Sequence, residues 1–336
     1  MEDRKKYLLN SSLLYDSLLR QTDNSCIRRF LAFKIITNAM SYEDLFNNRI
    51  FNDFRQIRNV FLAHKQENSF IQAYSTSDSI TDNKIQDLLK FMKENLSDPN
   101  NYLTFNELID QSIKTDLENL SKQILSLFHE EFYEGFRISN NFLCTGNGQI
   151  KEMSSSALSG VFYRYNSSKE LSTLANYFIS NLIKDPKFEN ALINFKIDYL
   201  LHAVNMYDCI YKDTKNNHSI DGLLEVMQET GMGDTSYLDN LKTDSGHIQI
   251  YKSMRQIRNK LAGHMDTKKP LAYHLQKAKD FDISIAYDFV NELDKAVYDA
   301  GETHVAIQSN YFNFNLKLDS PDITGMEDFA NQNYFD

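Results

Sequence analysis

The chain is short of the residues that break or staple a fold. Its 336 residues include 11 glycines and 4 prolines, so there are few points at which a helix is forced to stop. The three cysteines, Cys26, Cys144 and Cys209, stand far apart, which excludes a zinc knuckle with close-set ligands and a dense disulfide framework. No apolar run reaches the length of about 18 residues that a membrane helix needs, and Met1-Glu2-Asp3-Arg4-Lys5-Lys6 leads into Tyr15 and Asp16 rather than into a clean apolar leader. The expectation is a cytoplasmic protein, neither secreted nor membrane-spanning. Positive charge is scarce too: the formal net charge is −10, which argues against broad, nonspecific adhesion to nucleic acid. Gly231-x-Gly233 lacks the third glycine and the preceding strand of a dinucleotide loop, and no G-S-x-D-x-D pattern of a nucleotidyltransferase occurs. The sequence calls for no metal and no cofactor.

What is present is apolar and periodic. Hydrophobic residues make up 42%, with 23 Phe and 19 Tyr, and long periodic stretches predict a mostly α-helical fold. The length suits two domains or one two-lobed body with a sizeable core. Residues 1–100 read as an N-terminal helical bundle, with helices over 3–21, 26–47, 48–66 and Ile85–Leu96. Residues 101–186 read as a helical connector, with a long helix over 103–137 and a hairpin or ordered loop over 141–165. Residues 187–300 repeat the bundle, with a long helix over 188–212 and another over Ile283–Val297. There Phe195-Lys196-Ile197 echoes Phe33-Lys34-Ile35, and about 38 extra residues, 213–250, form an insert that is a candidate lid or a plain surface excursion. Residues 301–336 are a strand-like segment, Val305–Leu318, and an acidic tail.

One stretch occurs twice. Arg55-Gln56-Ile57-Arg58-Asn59 returns letter for letter as Arg255-Gln256-Ile257-Arg258-Asn259, and a histidine, His64 or His264, follows each at the same distance. Phe54, Ile57, Phe61 and His64 share one helical stripe, as do Met254, Ile257, Leu261 and His264. Within one copy the arginine and histidine are separated by roughly 9 Å of rise and roughly 120° of rotation on an ideal helix, so a single copy spreads its polar groups. Two seams packed together would bring Arg58, Asn59 and His64 to meet Arg258, Asn259 and His264 in one cleft. Charge follows the motifs: 54–66 carries three bases and no acid, and Lys252–Lys269 carries six bases and one acid.

That set of groups suits a phosphodiester. Imidazole exchanges protons near neutrality, guanidinium grips phosphate oxygens in bidentate fashion, and an asparagine amide orients a hydroxyl or phosphate. In RNA, one histidine would take the 2′-hydroxyl proton as that oxygen attacks phosphorus. The other histidine, or water, would protonate the departing 5′ oxygen, and the arginines would stabilise the developing charge. Arg55, Arg255 and Lys260 are auxiliary phosphate binders. A histidine that ends an apolar stripe is also what a packed interface residue looks like; the duplication is what singles this one out.

Arg58-Asn59-x4-His64 and Arg258-Asn259-x4-His264 resemble the R-x(4–6)-H signature of the HEPN superfamily, and R-Q-I-R-N-K-L-A-G-H-M-D is similar to its abortive-infection branches. The resemblance implies an all-α protein. Its two HEPN-like helical bundles would pack as a pseudo-dimer, with a helical connector and a small β-like C-terminal segment. It further implies a metal-independent endoribonuclease acting on single-stranded or looped RNA, in phage defence or a toxin system. An antitoxin or regulatory protein, or a second copy of the chain, would be its partner. The alternative within the same family is a non-catalytic RNA- or nucleotide-binding or regulatory unit. Many relatives carry Asp two residues after the histidine; Asp266 matches and Gln66 does not, so the two halves of the site are expected to be unequal. In the tail, Asp319, Asp322, Glu327, Asp328 and Asp336 interleave with Phe329, Tyr334 and Phe335 and include no Lys or Arg. This mix of charge and rings resembles a single RNA strand, and the expectation is that the tail occupies the basic cleft or recruits a partner.

Overall fold

A computed structural model describes residues 2–20, 25–42, 48–58, 81–97, 108–109, 142–144, 150–152, 155–184, 186–211, 222–230, 234–263, 269–301 and 323–324. The fold is all-α. The N-terminal helices are α1 (Glu2–Arg20), α2 (Ser25–Ala39), α3 (Asn52–Ile57, led in by a 3-10 turn at Arg49–Phe51) and α4 (Asp82–Glu94). A long pair follows, α5 (Ser155–Leu182) and α6 (Glu189–Ile210). Then come α7 (Leu223–Thr230), α8 (Ser236–Thr243), α9 (Ser245–Arg258, continued by a π turn over Asn259–Gly263), α10 (Leu271–Asp280) and α11 (Ile283–Gly301). Two short antiparallel pairs accompany them, β1 (Leu108–Ile109) with β4 (Ile323–Thr324) and β2 (Phe142–Cys144) with β3 (Ile150–Glu152).

The helix at the centre is α6, in which 18 of 22 residues are buried. A helix that is apolar nearly all round has to be surrounded. The α5 helix lies along it, and α9, α10 and α11 cover other sides. The N-terminal helices reach it through rings: Tyr15 meets Phe195 edge-on at 5.6 Å, Phe195 stacks on Phe178 at 4.5 Å, and Phe178 stacks on Phe30 at 6.2 Å. Each such pair adds about 0.5–1.5 kcal/mol beyond the area it buries. The described N-terminal helices and the α5–α6 pair therefore share one core. At its edge, α4 turns Ile85, Leu88, Leu89 and Met92 inward at helical spacing, and Phe91 meets Phe51 edge-on at 5.0 Å.

The apolar surface of α6 is interrupted by one polar face, on which Asn190, Asn194, Asp198, His202, Asn205 and Asp208 follow one another at steps of three or four residues. Tyr7 donates to Asn194 Oδ1 at 2.8 Å, and Tyr15 donates to Asp198 Oδ2 at 2.6 Å. Lys34 Nζ lies 3.1 Å from Asp198 Oδ1 and 2.8 Å from His202 Nε2. Lysine has only donors, so His202 accepts at Nε2 and carries its proton at Nδ1. All four groups are buried: Tyr15 is 2% exposed, Lys34 2%, Asp198 7% and His202 0%. Burial lowers the pKa of the Lys34 ammonium, against the pull of Asp198. It raises that of the Asp198 carboxyl, against Lys34 and Tyr15. Burial, helped by Lys34, holds His202 well below its ordinary value.

Several expectations are corrected. The helix expected over 26–47 ends at Ala39, where the Ser41 amide closes a tight turn onto the Asn38 carbonyl at 3.1 Å. The one expected from 48 starts as a 3-10 turn and becomes α-helical at Asn52. Within 103–137, Leu108–Ile109 is extended and pairs with Ile323–Thr324; the rest, with His129, Glu130 and Glu131, lies outside the described residues. The hairpin over 141–165 exists at Phe142–Glu152, but Val161–Tyr165 belongs to α5. Its branched and aromatic residues suit a strand locally, yet the helix is fixed by Leu171, Leu174, Phe178 and Leu182 buried further along. The insert over 213–250 is part of the body: Leu223, Leu224 and Leu238 are buried, Tyr211 donates to the Leu238 carbonyl at 2.7 Å, and 245–250 opens the second motif helix. Val305–Leu318 and the tail apart from Ile323–Thr324 lie outside the described residues.

Candidate functional site

The second motif copy sits at the end of α9. Asp244 caps that helix, its Oδ1 accepting from the His247 amide at 2.6 Å. Met254 and Ile257 are buried on its inner side. The first copy is positioned by α3, where Phe54 and Ile57 are buried and Phe51 lies 6.0 Å from Phe54. The two copies place the repeated residues alike. Ile57 and Ile257 are in the core, and Arg58 and Arg258 are also buried, at 5% and 9% exposure. Arg55 and Arg255 are half-exposed. At Arg258 the backbone leaves α geometry for the π turn Asn259–Gly263, a distortion frequent at functional sites.

The charge of one buried arginine acts on the other. The pKa of the Arg58 guanidinium is pushed down to about 10, first by burial and then by the charge of Arg258. Burying one guanidinium is costly and burying two like charges within mutual reach is costlier, so the groups around them matter. Arg258 Nη1 donates to Asn259 Oδ1 at 2.9 Å, and its Nη2 donates to Asn205 Oδ1 at 3.2 Å and lies 3.9 Å from Asp208 Oδ2. Asp208 Oδ1 accepts from the Tyr251 hydroxyl at 2.6 Å. Burial, with Asp208 beside it, raises the pKa of that phenol far above its ordinary value. Tyr251 in turn stacks on Tyr207 at 4.0 Å and carries the Arg255 guanidinium 5.8 Å from its ring centre.

Of the residues singled out from the sequence, Arg58, Arg258 and Asn259 are gathered here, with Arg255 beside them on the Tyr251 ring. Arg55 turns aside and donates to Asn52 Oδ1 on its own helix. Lys260 is exposed and lines a groove towards α1. Asn59, His64 and His264, together with Gln66 and Asp266, lie outside the described residues. Sequence reasoning missed Asn205, Asp208 and Tyr251. Tyr251, Arg255 and Arg258 are spaced four and three apart, a helical face visible in the sequence. Asn205 and Asp208 were visible as polar residues three apart in an apolar run.

Among the described residues the arrangement gathers the two buried guanidiniums, the Asp208 carboxylate, the amides of Asn205 and Asn259 and the Tyr251 phenol. An oxyanion with several acceptor oxygens matches that set of donors. Among the described residues, no group of three or more His, Cys, Asp and Glu side chains gathers as a metal would require. None of the described helices is long and apolar enough to cross a membrane. Set against protein-family models, curated proteins and solved structures, the chain finds no match.

Proposed function

We propose that the paired arginines are the phosphate centre of a metal-independent endoribonuclease acting on single-stranded or looped RNA in a phage-defence or toxin setting. What supports this reading is that Arg58 and Arg258, equivalent residues of a duplicated motif two hundred positions apart, are both buried and near enough for the charge of Arg258 to lower the pKa of Arg58. Two guanidiniums within electrostatic reach of each other offer a phosphate paired donors and favourable charge. In the reaction, His64 and His264 exchange the protons, Arg58 and Arg258 stabilise charge on the phosphorane oxygens, and Asn59 and Asn259 orient the nucleotide. The O2′–P bond forms, the P–O5′ bond breaks, and the products carry 2′,3′-cyclic phosphate and 5′-hydroxyl ends. The test is incubation with total RNA in EDTA, for wild type, His64→Ala and His264→Ala, with the product ends mapped. Cyclic phosphate ends made by wild type and lost in either variant are the expected result. Inertness of the wild type, or equal cutting by all three proteins, would sink the proposal.

A second reading has an observation of its own. Arg258 is already held by Asn205, Asn259 and Asp208, as a residue that binds without turnover would be. RNA or nucleotide retained intact by wild type, and released by Arg58→Gln, would favour that regulatory role.

A further inference from the structure

A second feature lies further along the same helix. A shallow groove, open to solvent, is lined by Arg4, Tyr7 and Leu8 of α1, Lys260 and Leu261 of the π turn, and Leu271 at the head of α10. It joins two cationic heads to an apolar lining. Tyr7 anchors it to α6 at Asn194, whereas Arg258 meets α6 at Asn205. Eleven residues of helix separate these points, roughly 16 Å of rise. Arg4 Nη2 donates to the Lys269 carbonyl at 3.1 Å, which ties the groove to the segment that enters α10.

There Lys269, Tyr273 and Lys277 succeed one another at steps of four, forming a single column. Tyr273 is a large ring left 39% exposed. The Lys269 ammonium lies 4.0 Å and the Lys277 ammonium 5.1 Å from its centre. Among the described residues neither ammonium is ion-paired with a carboxylate. The two cations also pull the Tyr273 hydroxyl below its ordinary pKa, with their hydrogen bonds the larger cause. An exposed ring between two unpaired cations suits a ligand that alternates flat faces with phosphates. Duplex RNA hides its base faces in the stack, and an acidic peptide has no use for the ring. A base stacking on tyrosine outweighs an exposed cation–π contact, so an arriving base displaces an ammonium, which then turns to the neighbouring phosphate.

We infer that the groove and the Lys269–Tyr273–Lys277 column form a flanking subsite for single-stranded RNA, a few nucleotides from the arginine pair. This rests on the RNA reading of that pair.

The test is fluorescence anisotropy on the full chain with labelled 2′-O-methyl oligoribonucleotides, which cannot be cut. One is just long enough for the arginine pair and one extends beyond it. Cleavage of ordinary RNA is followed in parallel. The expected result is that Tyr273→Ala weakens the long strand about tenfold, leaves the short one unchanged and is rescued by Tyr273→Phe. Removing both ammoniums, in Lys269→Ala with Lys277→Ala, should reduce the slope of log affinity against log salt by about 1.4, or 0.7 for each phosphate contact. All four substitutions are on exposed side chains, and circular dichroism confirms that the variants fold. If wild type cuts RNA while Tyr273→Ala binds the long strand unchanged, the subsite is overturned and the nuclease reading stands. If duplex RNA or a polyglutamate peptide binds as tightly as the long strand, the subsite is likewise overturned. If wild type neither binds nor cuts, both readings fall.

Discussion

On α6, Asp198 and Asp208 are ten residues apart and equally enclosed, with side chains 10% and 11% exposed, but their surroundings differ in charge. Asp198 has one cation, Lys34 at 3.1 Å, and a phenol at 2.6 Å. The Lys34 ammonium faces the Asp198 carboxylate on one side and His202 Nε2 on the other. Asp208 also holds a phenol at 2.6 Å, but the guanidinium of Arg258 stands off at 3.9 Å, and its charge also acts on Arg58. A sealed, neutral cluster specifies how helices register. The second cluster holds two buried guanidiniums within electrostatic reach of each other and is the one proposed to bind phosphate.

The contrast can be broken in four ways. The largest effect is expected from Asp198→Ala, which strands a buried ammonium and should cost about 3–5 kcal/mol in urea unfolding. Replacing both partners, Lys34→Met with Asp198→Leu, should recover most of that loss, because a buried pair is close to neutral against an apolar pair of similar volume. An equal cost for Asp208→Ala would erase the distinction between the clusters. Next, Arg258→Gln should lower RNA cleavage by about 10²–10³ with little change in melting temperature. Activity lost only in proportion to unfolded protein would class Arg258 with the scaffold.

The third effect depends on pH. His202 stays neutral in the fold because burial holds it well below 6.5, while the unfolded chain takes up a proton there. Its contribution to stability is complete above that value and is lost as the pH falls, with a slope approaching about 1.4 kcal/mol per pH unit. His247, also held down by burial, adds in the same direction. Asp198, whose carboxyl is raised, gains a proton in the fold in more acid solution and opposes the trend. Unfolding curves for His202→Gln should be flatter through this range; an unchanged slope would move the proton to another group. Last and smallest, Arg58→Met removes one of the two proposed phosphate-binding guanidiniums and should change stability by no more than on the order of 1 kcal/mol. Added phosphate should raise the melting temperature of wild type and not of the variant. A destabilised variant that still responds to phosphate would place the anion elsewhere.

Helical content was legible because few glycines and prolines interrupt strong periodicity. The long central helix expected over 188–212 is α6, Glu189–Ile210. The helix expected over Ile85–Leu96 is α4, which opens three residues earlier at Asp82, where the Thr81 hydroxyl accepts from the Lys84 amide at 3.4 Å. Of the candidate site, the duplicated arginines stood out as sequence, whereas the groups they meet did not. Asn205 and Asp208 acquire meaning only when the chain brings α9 alongside α6. The echo of Lys34 in Lys196 was equally opaque: Lys34 is sealed against Asp198, while Lys196 reaches the carbonyls of Lys279 and Phe281 at 3.3 and 3.4 Å. Identical local text, placed in two environments, gives a structural ion pair in one and a helix-end clamp in the other.

The enclosure of α6 also determines how the molecule comes apart. Amide protons on a helix covered on every side exchange with solvent only when its neighbours are removed. Both polar clusters hang from that helix, so neither opens by local fraying, and protection along Asn194–Asp208 should report a single free energy equal to that of the whole fold. A chain built around a duplicated motif would then be indivisible: separated at the repeat, neither half would retain the surface that made it fold.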